Sequence, residues 1–455
     1  MTESNLLLPR GFGFGIVSAA TAVEGLDAAR LDDESASGLT HAGASIWDVF
    51  AASPGRIVDG TTRADGPGHL RSSANVSTDV DLITHLGVSH SRISLSWSAL
   101  TGAESGNRYD RYSRYIDDLL AKGVEVVVTL THYDMPLTVM TDGGWLVRDT
   151  AEVFGDYAAT VAAKIGDRVS RWVTMNSPLV HTAYGYGLGI EAPGLTMLGE
   201  SLRAGINQLV GHGYATQALR ASGAQQIGIA NHHTRVRPAS ESREDIAAAE
   251  LYSILHNRAF TDPLFGLGFP GELAGLIASS PDLDFASAAD AHLVAQPLDF
   301  YGVNYHHPVM VAAATDNATI PFTLVEDPAA ATDDAGWPLD PSALTQVLLE
   351  LTAQYPALPP LYVTENGTHT APGIDDADRC EYVDQHITAI AAAIRDGADV
   401  RGYDHWTLLD CWEFGEGLTR PMGLVAVDPL SQDRTPKASY HHYAALIAAH
   451  RARSY

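Results

Sequence analysis

Apolar residues along this chain recur in two rhythms. Short runs rich in branched and aromatic side chains fall at Phe12 to Val17, Ser91 to Ser96, Val124 to Leu130, Trp172 to Met175, Gln226 to Ala230, Leu298 to Val303, Pro360 to Thr364 and Gly402 to Leu408. Each has the length and composition of a strand. Between them, Val76 to Leu86, Tyr112 to Leu120, Ala151 to Ile165, Ser201 to Leu219, Ser342 to Tyr355 and Tyr382 to Arg395 repeat apolar residues at spacings of three and four. That spacing predicts helices with one buried face. Eight strand-like runs alternating with helical stretches predict an α/β fold, a (β/α)8 TIM barrel, because parallel strands need long crossovers and helices supply them. The Pro, Gly and Ala-rich stretches Asp27 to Ala44 and Thr315 to Ala335 read as enlarged surface loops. No internal repeat or linker divides the chain, so residues 1–455 are expected to form a single barrel domain.

Charge and cysteine content narrow the setting. The 455 residues carry 28 Lys plus Arg against 55 Asp plus Glu, a net charge of −27. Such an acidic surface argues against nucleic acid or an anionic membrane as partner. Two cysteines, Cys380 and Cys411, make no disulfide framework and have no metal-ligand spacing around them, which favours a reducing compartment and no metal. Met1 to Arg10 has no basic segment followed by a long apolar stretch, and no later run approaches a membrane span. The expectation is a cytoplasmic protein with no cofactor, with assembly into a homo-oligomer left open.

In a barrel of this kind, chemistry comes from the carboxyl ends of the strands. Those ends here are Trp97, His132, Asn176, Ser177, Asn304, Tyr305, Glu365 and Trp406, with Asp410 and Glu413 just beyond the last strand. Singly, a His or Tyr at such a place is most often a satisfied polar group. Together they predict one polar mouth.

Two strings dominate it, Thr174-Met175-Asn176-Ser177-Pro178 and Val363-Thr364-Glu365-Asn366-Gly367. They resemble the signatures of glycoside hydrolase family 1, the β-glucosidase family, T-x-N-E-P around the acid/base and [IV]-T-E-N-G around the nucleophile. The resemblance runs nearly end to end, through Ser45-Ile46-Trp47-Asp48, Thr131 to Pro136, Gly143-Gly144-Trp145, Gly185 to Gly194, His256 to Phe265, Phe300 to Tyr305, Asp334 to Pro338 and Trp406 to Gly423. It implies a retaining enzyme acting on a small-molecule β-glycoside, in which Glu365 attacks the anomeric carbon and Arg92 and Tyr305 support its ionised state. It also implies that His132, Asn176, Trp406 and Glu413 contact the transferred sugar, and that Trp337 is the aromatic platform for the aglycone. Glu413, which meets outer hydroxyls in the family, argues against a 6-phosphosugar.

The departures from this pattern carry as much information. Ala22 stands where the family has a sugar-binding glutamine, and Phe414 where it has a tryptophan, so a hydrogen-bonding fork and an indole N–H are gone. Alanine leaves that space to a different or deoxygenated sugar, or to water. The segment Arg71 to Asn75 replaces a D-H-Y-H-like string. Ser177 replaces the acid/base glutamate, and a serine hydroxyl is too weak an acid to supply the roughly 10²–10⁴-fold of general acid catalysis. The expected activity is therefore low on simple glucosides and directed at glycosides with a good or self-assisted leaving group, by hydrolysis or transfer. Glu191, a carboxylate foreign to the family, and His181, one helical turn past Ser177, are candidates to carry protons instead; solvated or structural roles are the alternative for both. A catalytically silent barrel that binds a glycoside is the competing expectation.

Overall fold

A computed structural model describes residues 8–25, 43–70, 72–101, 105–279, 288–315 and 320–453. Eight parallel strands close into a barrel: β1 (Gly13–Ser18), β2 (His90–Ser94), β3 (Glu125–Thr129), β4 (Arg171–Asn176), β5 (Ile227–His232), β7 (Tyr301–Asn304), β10 (Leu361–Asn366) and β11 (Val400–Trp406). The order around the barrel is β1-β11-β10-β7-β5-β4-β3-β2, the (β/α)8 TIM architecture. Each of the eight expected strands occurs within a few residues of its expected bounds, since buried branched runs leave little choice of conformation.

The intervening numbers belong to short strands that the apolar pattern does not announce. Val236–Pro238 (β6), Val309–Ala313 (β8) and Phe322–Val325 (β9) form a separate three-stranded sheet. The last lies within Thr315 to Ala335, so that stretch is not wholly loop. Of the other expected loop, Asp27 to Ala44, all but residues 43 and 44 lie outside the described residues, as do Met1 to Leu7 and Arg71.

Sequence signals fix the helix ends. Ser72 accepts a hydrogen bond from the Asn75 amide at the start of Ser73–Leu86, and Gly87 ends that helix at φ 74°, a left-handed conformation that glycine adopts without strain. Asp340 caps Pro341–Gln354, whose proline fills the first helical position, where no amide is needed. The final helix, Ala438–Arg453, is pinned to the barrel by Tyr443, whose hydroxyl donates to the Gly15 carbonyl at 2.8 Å. Trp97 was expected at the mouth. It lies instead between barrel and helices, fully buried against Trp145, Phe154 and Tyr157, because a strand end followed directly by helix Trp97–Leu100 turns the indole outward. Among the described residues no helix is long and apolar enough to cross a membrane.

Inside the barrel the side chains form layers. Val127, Val173, Ala230 and Phe300 make an apolar cluster, with Tyr362 against it. Above β1 a polar pair crosses the lumen: Gly15 is in register with both His90 and Asp404, whose side chains meet at 2.5 Å. A methyl on Gly15 would sit 2.2 Å from Asp404 Oδ1 and 2.4 Å from His90 Nε2. The layer exists because position 15 has no side chain.

Gly15→Ala is accordingly expected to destabilise the fold by roughly 1–3 kcal/mol, the usual cost of overpacking, read as a lower urea midpoint. An unchanged midpoint would show that the His90–Asp404 layer has room to move.

Candidate active site

The site is assembled where two strands lose register. β4 slips against β5 between Val173 and Asn176, and β10 slips against β7 between Val363 and Glu365. A bulge of this kind inserts a residue and re-aims its neighbours. Consecutive residues therefore face one mouth, where strict alternation would send every second one outward. Asn304 Nδ2 donates to both Asn176 Oδ1 (2.9 Å) and Ser177 Oγ (3.0 Å), while Asn304 Oδ1 accepts from Thr364 Oγ1 at 2.7 Å. Ser177 sits at φ 40°, ψ 62°, a left-handed conformation uncommon for a residue with a side chain.

Arg92 organises the protons. Its guanidinium is fully buried and donates to Thr129 Oγ1, the Thr364 carbonyl, Glu365 Oε1 at 3.1 Å and Asn176 Oδ1 at 2.5 Å. Arginine has no acceptor, so the carboxamide of Asn176 must present oxygen to it and nitrogen to His132. Asn176 Nδ2 donates to His132 Nε2 at 2.9 Å, which leaves the imidazole proton on Nδ1. That Nδ1 has no hydrogen-bond partner among the described residues and stands 4.0 Å from Glu365 Oε1.

Glu365 is buried at the end of β10. Burial pushes its pKa up to about 7, Arg92 pulls it down, and the charges of Glu413 and Asp404 push it up. His306 faces the other oxygen, with Nε2 4.0 Å from Oε2. Because His306 Nδ1 donates to the Gly367 carbonyl at 3.3 Å, its bare Nε2 is what meets the carboxylate. Burial holds that imidazole near pKa 3, so it is neutral.

Tyr305 does not join this group. Its hydroxyl donates to the Asp340 carbonyl at 3.1 Å, outside the barrel wall, so the support for Glu365 expected of Tyr305 has to be corrected. The reason is strand alternation. Asn304 points inward, Tyr305 outward, and His306 inward again. That period was the signal for His306, overlooked because the motif ended at Tyr305. Asp410 also leaves the mouth: Lys437 Nζ donates to its Oδ1 at 2.7 Å and the Gly423 amide at 2.9 Å.

The remaining predicted residues line one side of the mouth. Trp406 Nε1 donates to Glu413 Oε1 at 3.2 Å, and Cys411 donates to the same oxygen. Ala22 is buried with Val17, Ala19, Trp406, Cys411 and Met422, and Trp337 and Phe414 pack against this cluster. Phe414 stacks on His132 with ring centroids 5.6 Å apart. Trp337 contacts His306, His307 and His369, with centroids 5.6, 4.7 and 4.3 Å away. His232 extends the imidazole wall, parallel to His306 and bonded to His256 at 2.9 Å.

Opposite them runs the loop after β4. A wide-turned helical segment, His181–Gly187, leads into it, and Arg56 donates to the Gly189 carbonyl at 2.9 Å. Glu191 follows, its amide bonded to the Tyr184 carbonyl at 3.1 Å. Its Oε2 is shut off from water and has no hydrogen-bond partner among the described residues. Burial pushes the Glu191 pKa up to about 8. Tyr133, at φ 61°, accepts a hydrogen bond from Asn176 Nδ2 at 3.4 Å, and burial first, then the charges of Glu365 and Glu191, holds its hydroxyl pKa well above the ordinary tyrosine value. His181 lies parallel to Tyr133 with both nitrogens unpartnered, and burial holds it near pKa 3. Among the described residues no group of three or more His, Cys, Asp or Glu is placed to hold a metal ion.

Comparison with known proteins places this geometry in company. The family model for glycosyl hydrolase family 1 matches residues 4–452. A β-glucosidase from Agrobacterium sp. is 34% identical over 98% of this chain and 97% of its own. A bifunctional β-D-glucosidase/β-D-fucosidase from Bifidobacterium breve is 33% identical over 98% of this chain and 100% of its own. Among solved structures, the family 1 β-glucosidase from Thermotoga maritima superposes with a TM-score of 0.89 at 30% identity, covering 98% of this chain and 99% of its own.

Burial holds the Glu365 pKa up at about 7, so a reaction that uses this carboxylate as a nucleophile needs it ionised above that pH. The acid limb of kcat/KM is therefore expected near pH 7, well above the ordinary range of a glutamate. Arg92→Lys, which keeps the charge but loses the fork, is expected to move that limb upward. A limb near pH 4.5 would contradict the burial of Glu365.

Proposed function

Because this chain belongs to glycosyl hydrolase family 1, we propose that it is a retaining β-glycosidase or transglycosidase whose nucleophile is Glu365 and whose position 177 has lost the family's proton-carrying glutamate. The observation that carries this reading is the arrangement of Arg92, Asn176 and His132 around Glu365, together with Ser177 on the opposite bulge. A guanidinium and an imidazole N–H directed at one carboxylate oxygen hold its charge ready at a strand end, which is what attack on an anomeric carbon requires. A protein that only bound a glycoside would have no use for an oriented nucleophile. The substrate is a β-glycoside of an unphosphorylated sugar, read from the buried carboxylate of Glu413. His132, Asn176, Trp406 and Glu413 hold the sugar, and Trp337 carries the aglycone.

The loss of polar groups at Ala22 and Phe414 favours a sugar with fewer or rearranged hydroxyls on that face. Ala22 is enclosed by Trp406, Cys411 and Met422, so the lost glutamine is replaced by an apolar surface.

Two outcomes test this reading. A 2-fluoro glycoside bearing a dinitrophenyl group needs no acid to leave, so intact mass spectrometry is expected to find a glycosyl adduct on wild type. A peptide map should place it on Glu365, and Glu365→Gln should carry none. Absence of any adduct on wild type would favour the silent binder. In the second test, Ser177→Glu is expected to raise rates on aryl β-glycosides by about tenfold or more, out of the 10²–10⁴ that acid–base catalysis contributes. The bulge and left-handed backbone at position 177 would hold a glutamate across from Glu365 at about the 5–5.5 Å of a retaining pair. No gain on any aryl glycoside would mean the side chain at 177 does not face the reacting bond.

A further inference from the structure

Hydrogen-bond direction leaves the floor of the mouth short of hydrogen. Asn304 Nδ2 gives its hydrogens to Asn176 Oδ1 and Ser177 Oγ, Trp406 and Cys411 give theirs to Glu413 Oε1, and Arg92 is fully buried. Ala22 and Phe414 have none to give. The acceptors are less fully used. Glu365 Oε1 takes a hydrogen from Arg92 and faces His132 Nδ1, but Glu365 Oε2 has no donor among the described residues. Its neighbour is His306 Nε2, 4.0 Å away, and this nitrogen is bare because His306 Nδ1 donates to the Gly367 carbonyl.

Two acceptors thus face each other across a gap too wide for a direct hydrogen bond. The His306 side chain is 13% exposed and that of Glu365 7%, so the gap is open to a ligand. A hydroxyl placed there carries one hydrogen, which satisfies one acceptor and turns lone pairs toward the other. An ammonium carries three. At about 2.8 Å, the usual length of a charge-assisted bond, one nitrogen reaches both members of a pair 4.0 Å apart. Its charge also suits the carboxylate, and the net charge of −27 draws cations toward the protein. An N-acetyl group fits less well, since it has one hydrogen and adds a carbonyl acceptor.

We propose that the mouth takes a β-glycoside whose sugar carries a free amino group on C2, held between Glu365 Oε2 and His306 Nε2. This rests on Glu365 being the nucleophile, because C2 bears the ring substituent beside the carbon under attack, where hydrogen bonds strengthen in the transition state. His306 acts here as a binding residue that selects the group on C2. Its ring is held in place by His232 and Trp337, with centroids 6.0 and 5.6 Å away, and by the bond from Nδ1 to Gly367.

Calorimetric titration with benzyl β-glycosides, whose alkoxide is too poor a leaving group to depart without an acid, reads binding alone. Wild type is expected to bind benzyl 2-amino-2-deoxy-β-D-glucoside about tenfold or more tighter than benzyl β-D-glucoside, the difference that one charge-assisted hydrogen bond makes. The N-acetyl derivative should lose that advantage. His306→Phe keeps a ring and removes the acceptor, so the ratio of the two dissociation constants should fall severalfold. A general loosening of the site would weaken both ligands alike and leave the ratio where it was. His306→Gln, which returns an acceptor oxygen, should restore part of it, and thermal melts establish that both variants fold. The amino-sugar assignment is overturned if wild type does not bind the amine, binds the glucoside or the N-acetyl derivative as tightly, or if His306→Phe keeps the full preference. The 2-fluoro adduct separates the two readings. If wild type labels on Glu365 but shows no preference for the amine, the nucleophile stands and the amino sugar alone fails; if wild type does not label, the nucleophile assignment fails and the placement on C2 with it.

Discussion

A guanidinium sealed inside a closed barrel cannot shed its charge and must be given acceptors. Arg92 receives four, from β3, β4 and β10. Each of these contacts fixes something further. The contact to Asn176 decides which way that carboxamide turns. The carboxamide decides which nitrogen of His132 carries hydrogen, and that nitrogen is the one nearest Glu365. The contact to Glu365 opposes the burial that would otherwise keep the carboxyl protonated. Removing Arg92 would leave the buried Glu365 carboxylate without its ion pair, an outcome that costs about 3–5 kcal/mol when one partner of a buried pair is lost. The polar order of the mouth is in this sense one cation and its consequences.

The backbone around the mouth carries its own record. Slipped register on β4 and β10 and a left-handed Ser177 are costly, of order 1–3 kcal/mol for a residue in such a conformation. A serine at the end of a regular strand would have no need of them. Such strain accords with the proposed role of position 177 as the place that faces Glu365. With serine there, the bulge delivers Asn176 to Arg92, so the distortion has a use that does not depend on the side chain at 177.

The barrel was legible in the sequence because eight buried runs and their helices each satisfy a local rule, and the rules agree. The placement of Glu365 and Ser177 at strand ends was legible because each lies in a motif that follows an apolar run. What failed was anything that depends on direction. Tyr305 and His306 differ by one position and so by one face, and Trp97 turned outward because a helix begins at once after its strand. The contact of Asp410 with Lys437 joins residues 27 apart in the chain, with nothing local to announce it. The burial of Glu191 was beyond the sequence altogether. Its amide is tied to the Tyr184 carbonyl in the wide-turned segment after β4, and a carboxylate in a Gly- and Pro-rich loop ordinarily reads as solvated.

The Ala22 side of the mouth contrasts with its floor. Below lie Arg92 and its four acceptors; above, Ala22, Met422 and Phe414 offer carbon. A hydroxyl pressed against such a surface gives up its bond to water and gains none, a loss of about 1–3 kcal/mol. A hydrogen or methyl in the same place loses nothing and gains burial. Glu413 makes the contrast sharper, because its Oε1 is already engaged by Trp406 and Cys411, leaving its other oxygen as the polar contact that this face can still make. For the proposed glycoside, discrimination on this face would rest on one carboxylate oxygen beside an apolar wall. Such a wall separates deoxygenated from hydroxylated rings more strongly than it separates one hydroxylated ring from another.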